Sequence, residues 1–223
     1  MYKSERGMLN DTMESSAVNS PCKLCQKKRA RRFCPGVNAE ICPVCCGTGR
    51  ETTIDCPSTC EHLQEARAHE RFVPHTKDDF PNQDVRVTEQ FLSEHDTLIA
   101  WLAFSLVEAM QSSRAVDRDA GEALGALIKT YRTLQSGLIY ETRPQNPYAA
   151  SIQQALKEAI GDISKRLAEK TGLQTLRDSD VLGSLVFFQR LQIQHDNGRP
   201  RGRAFYDFLR EMFPMPAQTE LLV

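Results

Sequence analysis

Cysteine is absent from residue 61 to the end of the chain, although eight cysteines lie between Cys22 and Cys60. A disulfide-stabilised fold places its cross-links throughout the chain, so a remainder of this length without cysteine disfavours a disulfide scaffold. The residues before Cys22 are mostly polar and lack the apolar core of a secretion signal. A disulfide knot is therefore the weaker interpretation of the cluster, and a metal-binding module is the stronger one.

Long apolar runs are absent as well. The longest uninterrupted one, Leu98 to Phe104, is far shorter than the roughly 20 residues that a membrane-spanning helix needs. The formal net charge is −1, so the chain as a whole has no charge excess that favours nucleic acid or a membrane surface. These absences predict a soluble protein of the reducing cytoplasm, without a membrane partner, whose thiols are available for metal.

Common enzyme signatures are missing from the sequence. There is no Walker loop, no G-x-G-x-x-G and no G-x-S-x-G nucleophile elbow. The predicted bundle helices contain no Glu-x-x-His pair, which a carboxylate-bridged di-iron bundle requires. Five scattered histidines are too few for metal phosphohydrolase chemistry. The sequence thus gives no positive evidence for an enzyme.

The cysteines that are present have the spacing of metal ligands: C-x2-C, a lone cysteine, C-P-x-C-C and C-P-x2-C. Zinc prefers four thiolate or imidazole ligands in a tetrahedron, so eight cysteines supply two zinc sites with none left over. An iron–sulfur cluster also takes four thiolates, but the spacing matches neither common ferredoxin run. The predicted zinc ligands are Cys22, Cys25, Cys34, Cys42, Cys45, Cys46, Cys56 and Cys60.

The predicted pairing follows from which sulfurs can reach the same ion. A two-residue loop brings both of its cysteines to one metal, and adjacent cysteines on an extended chain point in different directions. We therefore predict one ion on Cys22, Cys25, Cys42 and Cys45, and a second ion on Cys34, Cys46, Cys56 and Cys60. His62 is expected at the surface or beside the site and not as a ligand.

The same region predicts a small zinc-binding fold. Residues 31–34 and 40–42 resemble the arms of a hairpin that turns at Pro35-Gly36, and a helix is expected to carry Cys56 and Cys60 in its first turn. A knuckle, a hairpin and a ligand-bearing helix together predict a treble-clef or cross-brace module.

The remainder of the chain has the periodicity of helices. From Phe91 to Met110 apolar residues recur at three and four positions, and further helix starts are expected near Asp117 or Asp119, Asn146-Pro147, Asp178 and Arg201. The predicted fold class is mainly α: a small treble-clef or cross-brace-like zinc module followed by an α-helical bundle of four to five helices. The predicted divisions are a disordered tail at 1–20, a double-zinc module at 21–72, a linker at 73–87, the bundle at 88–216 and a frayed tail at 217–223.

Two basic segments are candidates for contact with phosphate or nucleic acid. The run Lys23 to Arg32 contains six basic residues and no acid, and Arg199 to Arg203 opens a predicted helix. Phosphate contacts dominate affinity for nucleic acid, although interleaved aromatic residues are lacking here. The alternative for the second segment is a solvated connector. The candidate contact residues are Lys27, Lys28, Arg29, Arg31, Arg32, Arg199, Arg201 and Arg203.

The segment ICPVCCGTGRETTIDCPSTCEHLQEAR, residues 41–67, resembles a group of uncharacterised bacterial proteins. These proteins pair a CPxCCG…CPxxC zinc-binding segment with a helical C-terminal half, and the stretches TYRTLQSGLIYETRP and NGRPRGRAF are similar to them too. The resemblance covers most of residues 20–213 and implies no activity. More distantly, the cysteine order is similar to cross-brace fingers of the HIT and MYND kinds, which bind partner proteins, although the spacing differs and their final His/Cys pair is absent.

These observations favour a non-enzymatic zinc-binding interaction or adaptor protein that engages a protein partner. The first alternative is a nucleic-acid-binding zinc protein that uses the two basic segments. The second is an enzyme with a site in the bundle near Tyr140, Glu141 and Arg143. For that loop the simpler interpretation is an ion pair between Arg143 and Glu141.

Overall fold

A computed structural model describes residues 20–70, 75–172 and 176–214. The chain divides into two compact units, Met1–Thr48 and Gly49–Val223. The sequence predicted this division near residue 72. In the structure residues 49–70 belong to the second, helical unit. The predicted tails, apart from Ser20, and the first residues of the predicted linker lie outside the described residues.

The first unit contains the predicted hairpin. Strands β1 (Arg32–Cys34) and β2 (Ala39–Ile41) are antiparallel, with Phe33 opposite Glu40. The turn between them includes Asn38 in the left-handed region, φ 52°, a conformation that asparagine tolerates. Helix α1 (Pro43–Gly49) begins at the proline that follows Cys42, and proline suits a first helical position because it has no N–H to leave unpaired. The hairpin prediction is confirmed.

The longer elements of the second unit are all helices. A short 3-10 turn at Lys77–Asp79 separates its first helix from the rest. The helices are α2 (Glu61–Ala68), α3 (Glu89–Glu94), α4 (Asp96–Ser113), α5 (Asp117–Gln135), α6 (Pro147–Thr171), α7 (Asp178–His195) and α8 (Ala204–Met212). The prediction of a mainly helical protein is confirmed. The described part of the predicted bundle, residues 88–216, contains six helices instead of four to five, because its first predicted helix is divided at His95 into α3 and α4.

The core of the second unit lies among the four long helices. Helix α5 packs against α7, α4 packs against α6, and α5 also contacts α6. The apolar stripes predicted from the three-and-four spacing face inward: Leu102 and Leu106 on α4, Leu156 on α6 and Phe188 on α7 are fully buried. Helix α8 closes the core with Phe205.

The predicted signals for α6 are both present. The side chain of Asn146 accepts a hydrogen bond from the N–H of Tyr148 at 3.0 Å, so it caps the helix. Asn146 also donates to Asp119 at 2.6 Å, which ties the start of α6 to the first turn of α5. At the other end Gly172 has φ 70°, the left-handed conformation that commonly ends a helix.

The end of the predicted linker belongs to the helical unit. Arg132 donates to Asn82 and Asp84, and Arg190 donates to the carbonyls of Asn82 and Val85 at 2.8 and 2.9 Å. Val85 also packs against the core. These contacts join residues 82–85 to α5 and α7, which the proline-rich composition of the segment did not indicate.

Among the described helices, none is both long enough and apolar enough to cross a membrane.

Candidate metal centre

Four of the predicted ligands lie together in the first unit. The sulfurs of Cys22, Cys25, Cys42 and Cys45 are all within 4.8 Å of one another, and those of Cys25 and Cys42 are 3.9 Å apart. A tetrahedral zinc ion with Zn–S bonds of about 2.3 Å separates its sulfurs by about 3.8 Å. None of the eight cysteines, which all lie in the described ranges, forms a disulfide. The donor set and its spacing fit a tetrahedral metal ion.

Two different local structures supply the two ligand pairs. Cys22 and Cys25 lie in a tight turn that closes with a hydrogen bond from the N–H of Gln26 to the carbonyl of Cys22 at 2.8 Å. Cys42 directly follows β2, and Cys45 lies in the first turn of α1. The hairpin thus connects a knuckle to a helix start, and each of these elements contributes two sulfurs.

Backbone N–H groups point at the sulfurs of the first pair. Burial raises the pKa of Cys22, but hydrogen bonds from the N–H groups of Cys25, Cys42 and Leu24 outweigh it, so the pKa falls to about 6. The N–H groups of Lys27 and Lys28 likewise lower the pKa of Cys25. Because the thiolate is the metal-binding form, this backbone arrangement favours metal binding at neutral pH.

The pKa of Cys45 shifts in the opposite direction. Its hydrogen bond to the sulfur of Cys42, together with burial and the neighbouring sulfurs Cys25 and Cys22, raises the pKa of Cys45 to about 12. Four close sulfurs repel each other when all are ionised, so one retains its proton. A bound divalent cation removes this repulsion and deprotonates coordinating thiols. Four thiolates fill a tetrahedron and leave no open position, which is the pattern of structural and not catalytic zinc.

The other four cysteines are divided between the two units. Cys34 ends β1, and Cys46 in α1 accepts a weak hydrogen bond from Arg32 at 3.8 Å. Cys56 and Cys60 belong to the second unit, where Cys60 is the N-cap of α2 and Cys56 precedes the helix. The sequence placed both in the first turn of this helix, and that detail is corrected, since the helix begins at Glu61. Within the described residues the structure gathers one four-cysteine group, and the second zinc ion stays a prediction.

His62, which the sequence did not count as a ligand, lies outside the four-cysteine group and pairs with Glu65 at 3.3 Å. This contact is a helical i, i+3 pair on the surface of α2.

The basic run beside the metal centre is exposed. Among its members, Arg32 is half-buried and contacts Cys46, whereas the other five present their side chains to solvent. In the described part of the chain, the structure pairs none of these five with a carboxylate. The exposed members are Lys23, Lys27, Lys28, Arg29 and Arg31.

The arginines of the second basic segment have partners in the helical unit. Arg199 lies 3.6 Å from Glu51 and 2.9 Å from Glu70. Arg203 forms an ion pair with Asp55 and donates to the carbonyl of Ala115 at 3.2 Å. Two of the three candidate phosphate contacts are thus engaged in internal ion pairs, while Arg201 is exposed. Phosphate contact by this segment stays a prediction, with Arg201 as its exposed member.

Glu51 is an organising residue that sequence reasoning missed. Its side chain is fully buried, and its backbone has a left-handed φ of 51°. The carboxylate accepts from Arg67 at 2.6 Å, from Asn197 at 2.9 Å and from the N–H of Arg203 at 3.3 Å. Its carbonyl accepts from the N–H of Arg201 at 2.8 Å. The only sequence signal is the acid-free arginine segment itself, which implies a distant counter-charge.

The loop proposed as a second-choice enzyme site contains the expected ion pair. Glu141 accepts from Lys157 at 2.6 Å and from Arg143 at 3.1 Å, and these two cations lower its pKa. Tyr140 is exposed. The arrangement matches a surface connection between α5 and α6.

No protein-family model matches the chain, and neither do any curated proteins or solved structures. The resemblance to the bacterial group therefore stays a prediction. The geometry of the four-cysteine centre is what carries the functional interpretation.

Proposed function

We propose that this chain is a non-enzymatic zinc-binding interaction protein, in which a zinc-stabilised module presents a surface to a protein partner. The observation that carries the proposal is the group of four sulfurs within 4.8 Å of one another. Soft thiolates in tetrahedral geometry select zinc over the harder divalent ions. The closed ligand set argues for a structural role of the ion.

The order of the elements supports a treble-clef module. A knuckle supplies Cys22 and Cys25, a hairpin follows, and the start of α1 supplies Cys42 and Cys45. The sequence predicted a knuckle, a hairpin and a ligand-bearing helix, but it assigned the ligands Cys56 and Cys60 to that helix, whereas here α1 contains Cys45.

The composition of the module explains why it needs a metal. Apart from cysteines, Ile41 is the one large apolar side chain that is buried among residues 20–48. A unit of this size without an apolar core cannot offset the entropy lost on folding. In small fingers zinc supplies an apparent binding free energy of roughly 10–16 kcal/mol.

The module presents apolar side chains to solvent beside the ligands. Leu24 directly precedes Cys25 and is 46% exposed, and Val44 directly precedes Cys45 and is 49% exposed. Phe33 on β1 is 55% exposed. Bound zinc would fix the backbone that carries Leu24 and Val44, so their positions would depend on the metal. With the neighbouring exposed cations, these side chains fit a partner segment that combines acidic and apolar residues.

The proposed zinc site is tested by the metal content of the purified chain and by the visible spectrum of its Co²⁺-substituted form. Elemental analysis of the purified chain should find zinc, and Co²⁺ in its place should give the visible bands of a tetrahedral tetrathiolate site. One ion per chain would correspond to the four-cysteine centre alone, and two ions would include the predicted second set. If there are two, replacing Cys34 and Cys60 by serine should reduce the content to one. A chain that contains no zinc would refute the proposal.

The partner surface is tested with matched variants. A variant with Leu24, Phe33 and Val44 replaced by serine should retain zinc but lose the proteins captured by the wild type from nuclease-treated cytoplasm. The control replaces Leu138, Ile139 and Tyr140, which are exposed in the second unit, and should capture the same proteins as the wild type. Equal capture by both variants would place the partner surface elsewhere.

Nucleic acid is the second candidate, and the five exposed cations without a described carboxylate partner favour it. The segment Arg199–Arg203 adds little to this footprint, because Arg199 and Arg203 already have carboxylate partners.

A further inference from the structure

An open groove of about 460 Å³ lies between α4 and α6 on the helical unit. Alanines 109, 155 and 159 contribute little side-chain volume, so the two packed helices leave a channel between them. On α4 the groove runs from Trp101 to Ser112, twelve residues separated by eleven rises, which corresponds to about 16 Å along a helix axis.

The groove combines an aromatic surface with an acidic rim. Trp101 and Phe104 line it and are half-buried, although the opposite face of α4 lies in the core. Glu108, Glu158 and Asp162 also line it and are exposed. No lysine or arginine is among the lining residues, and within the described ranges no cation forms an ion pair with these three carboxylates.

The face of Trp101 already holds a cation. The guanidinium of Arg166, on α6, lies 4.8 Å from the centre of the indole ring. Cation–π attraction of this kind is strongest for tryptophan. The Trp101 ring at the groove thus has the electronic character that attracts a guanidinium or ammonium group.

We propose that this groove docks a cationic amphipathic helix of a partner protein. The apolar face of that helix would pack on Trp101 and Phe104, and its lysines or arginines would meet the three rim carboxylates. A groove of about three turns between two helices fits a helix that presents side chains at i, i+3 or i+4 and i+7. The partner helix is expected to be positively charged because the rim and the whole unit are acidic. Between Gly49 and Val223 there are 25 acidic and 20 basic residues. This surface is independent of the metal centre.

Trp101 is the only tryptophan of the chain, so its fluorescence reports on this groove. The probe is a synthetic 18-residue helix of leucine and lysine without tryptophan, titrated into the full-length zinc-loaded chain. We expect a saturable blue shift of the emission and a weaker affinity at higher salt. A peptide of the same composition in scrambled order, which has no apolar face, should bind at least tenfold more weakly.

Two triple variants that lose the same charge distinguish binding in the groove from long-range attraction to the acidic unit. Glu108→Gln, Glu158→Gln and Asp162→Asn together keep the shape of the rim and should lower the affinity at least tenfold. The control Glu61→Gln, Glu89→Gln and Glu211→Gln removes three exposed carboxylates that do not line the groove, and it should change the affinity less than twofold. Circular dichroism checks that both variants keep their helix content.

Four results would overturn the proposal. The first is a tryptophan emission that does not change when the peptide is added, and the second is an equal loss of affinity in both triple variants. The third is displacement of the peptide by spermine at a concentration similar to that of the peptide. The fourth is self-association of the chain that buries Trp101 without peptide. The third result would assign the groove to small polycations, and the fourth to a second copy of the chain.

Discussion

At the scale of single residues, Glu51 is a buried carboxylate that joins distant parts of the helical unit. It is fully buried and holds Arg67 and Asn197. We predict that Glu51→Gln lowers the free energy of unfolding by roughly 1.5–3 kcal/mol, because Arg67 keeps Asp207 as a partner but loses its charged hydrogen bond to Glu51. Chemical denaturation measures the loss. Glu169→Gln, a change at an exposed position, should stay within about 0.5 kcal/mol of the wild type, and a similar value for Glu51 would contradict its anchoring role.

Asp117 should make the free energy of unfolding of the helical unit decrease as the pH rises through the weakly acidic range. Burial raises its pKa to about 7, although the N–H groups of Phe205 and Tyr206 oppose the shift. A carboxyl whose pKa is higher in the folded state binds its proton more tightly there, so stability falls as pH rises from about 4 to about 7. The fall is at most about 1.4 kcal/mol per pH unit.

The comparison with Asp117→Asn isolates this effect, because other titrating groups are common to both proteins. Denaturation at several pH values should find the variant gaining stability relative to the wild type between pH 4 and 7, with a constant difference above pH 8. Parallel profiles across that window would mean that the two N–H groups keep Asp117 ionised in the folded protein.

At the scale of elements, the boundary of the helical unit can be tested by truncation. The sequence favoured a self-sufficient bundle that begins near residue 83. A fragment of residues 83–214 lacks Asp55 and Arg67, which pair with Arg203 and Asp207. We predict that a fragment of residues 49–214 unfolds cooperatively and at a higher temperature than the 83–214 fragment. Equal melting temperatures would mean that residues 49–82 contribute little to the unit.

The elements that the sequence predicted well are those with a local signal. The hairpin followed from the turn at Pro35-Gly36, and the start of α6 followed from the Asn146-Pro147 cap. The group of four cysteines followed from two C-x2-C loops that each bring two sulfurs to one point. In each case residues a few positions apart determine the geometry, so a single sequence contains the information.

The boundary at residue 48 could not be predicted because its cause is not local. Glu51 contacts Arg199 and Asn197, which are nearly 150 positions away, and no periodicity or spacing links them. The start of α2 was misplaced for a different, local reason. The sequence from Pro57 to Cys60 resembles a first helical turn, whereas Cys60 is the N-cap and the helix begins at Glu61. The long-range contacts of Glu51 join the start of the second unit to its end, and they are not visible in local sequence.

At the scale of the whole molecule, a net charge of −1 conceals an uneven distribution. Residues 20–48 contain six basic residues and one acid, whereas residues 49–223 contain 20 basic and 25 acidic residues. We therefore expect partners of opposite charge for the two units, acidic for the cysteine-rich unit and cationic for the proposed helical groove. Composition alone predicted no such preference, because the two contributions cancel.

The basic metal module leads to the prediction that separates a protein partner from nucleic acid. We expect no appreciable affinity of the wild type for DNA or RNA at physiological salt, because five exposed cations are few and the chain supplies no long-range attraction. If all five contacted phosphates, log K would fall against log salt with a slope of about 4.5 for duplex DNA. Fluorescence anisotropy with labelled duplex and single strands measures this slope.

The matched variant replaces Lys23, Lys27, Lys28, Arg29 and Arg31 by glutamine. None of the five is a metal ligand, so zinc content should be unchanged and a loss of binding could not be attributed to unfolding. Tight, salt-sensitive binding by the wild type that disappears in this variant would make nucleic acid the partner of the module. Binding that survives in the variant would exclude the basic run as its site, since each lost phosphate contact must flatten the salt dependence by about 0.9 for duplex DNA or 0.7 for single strands.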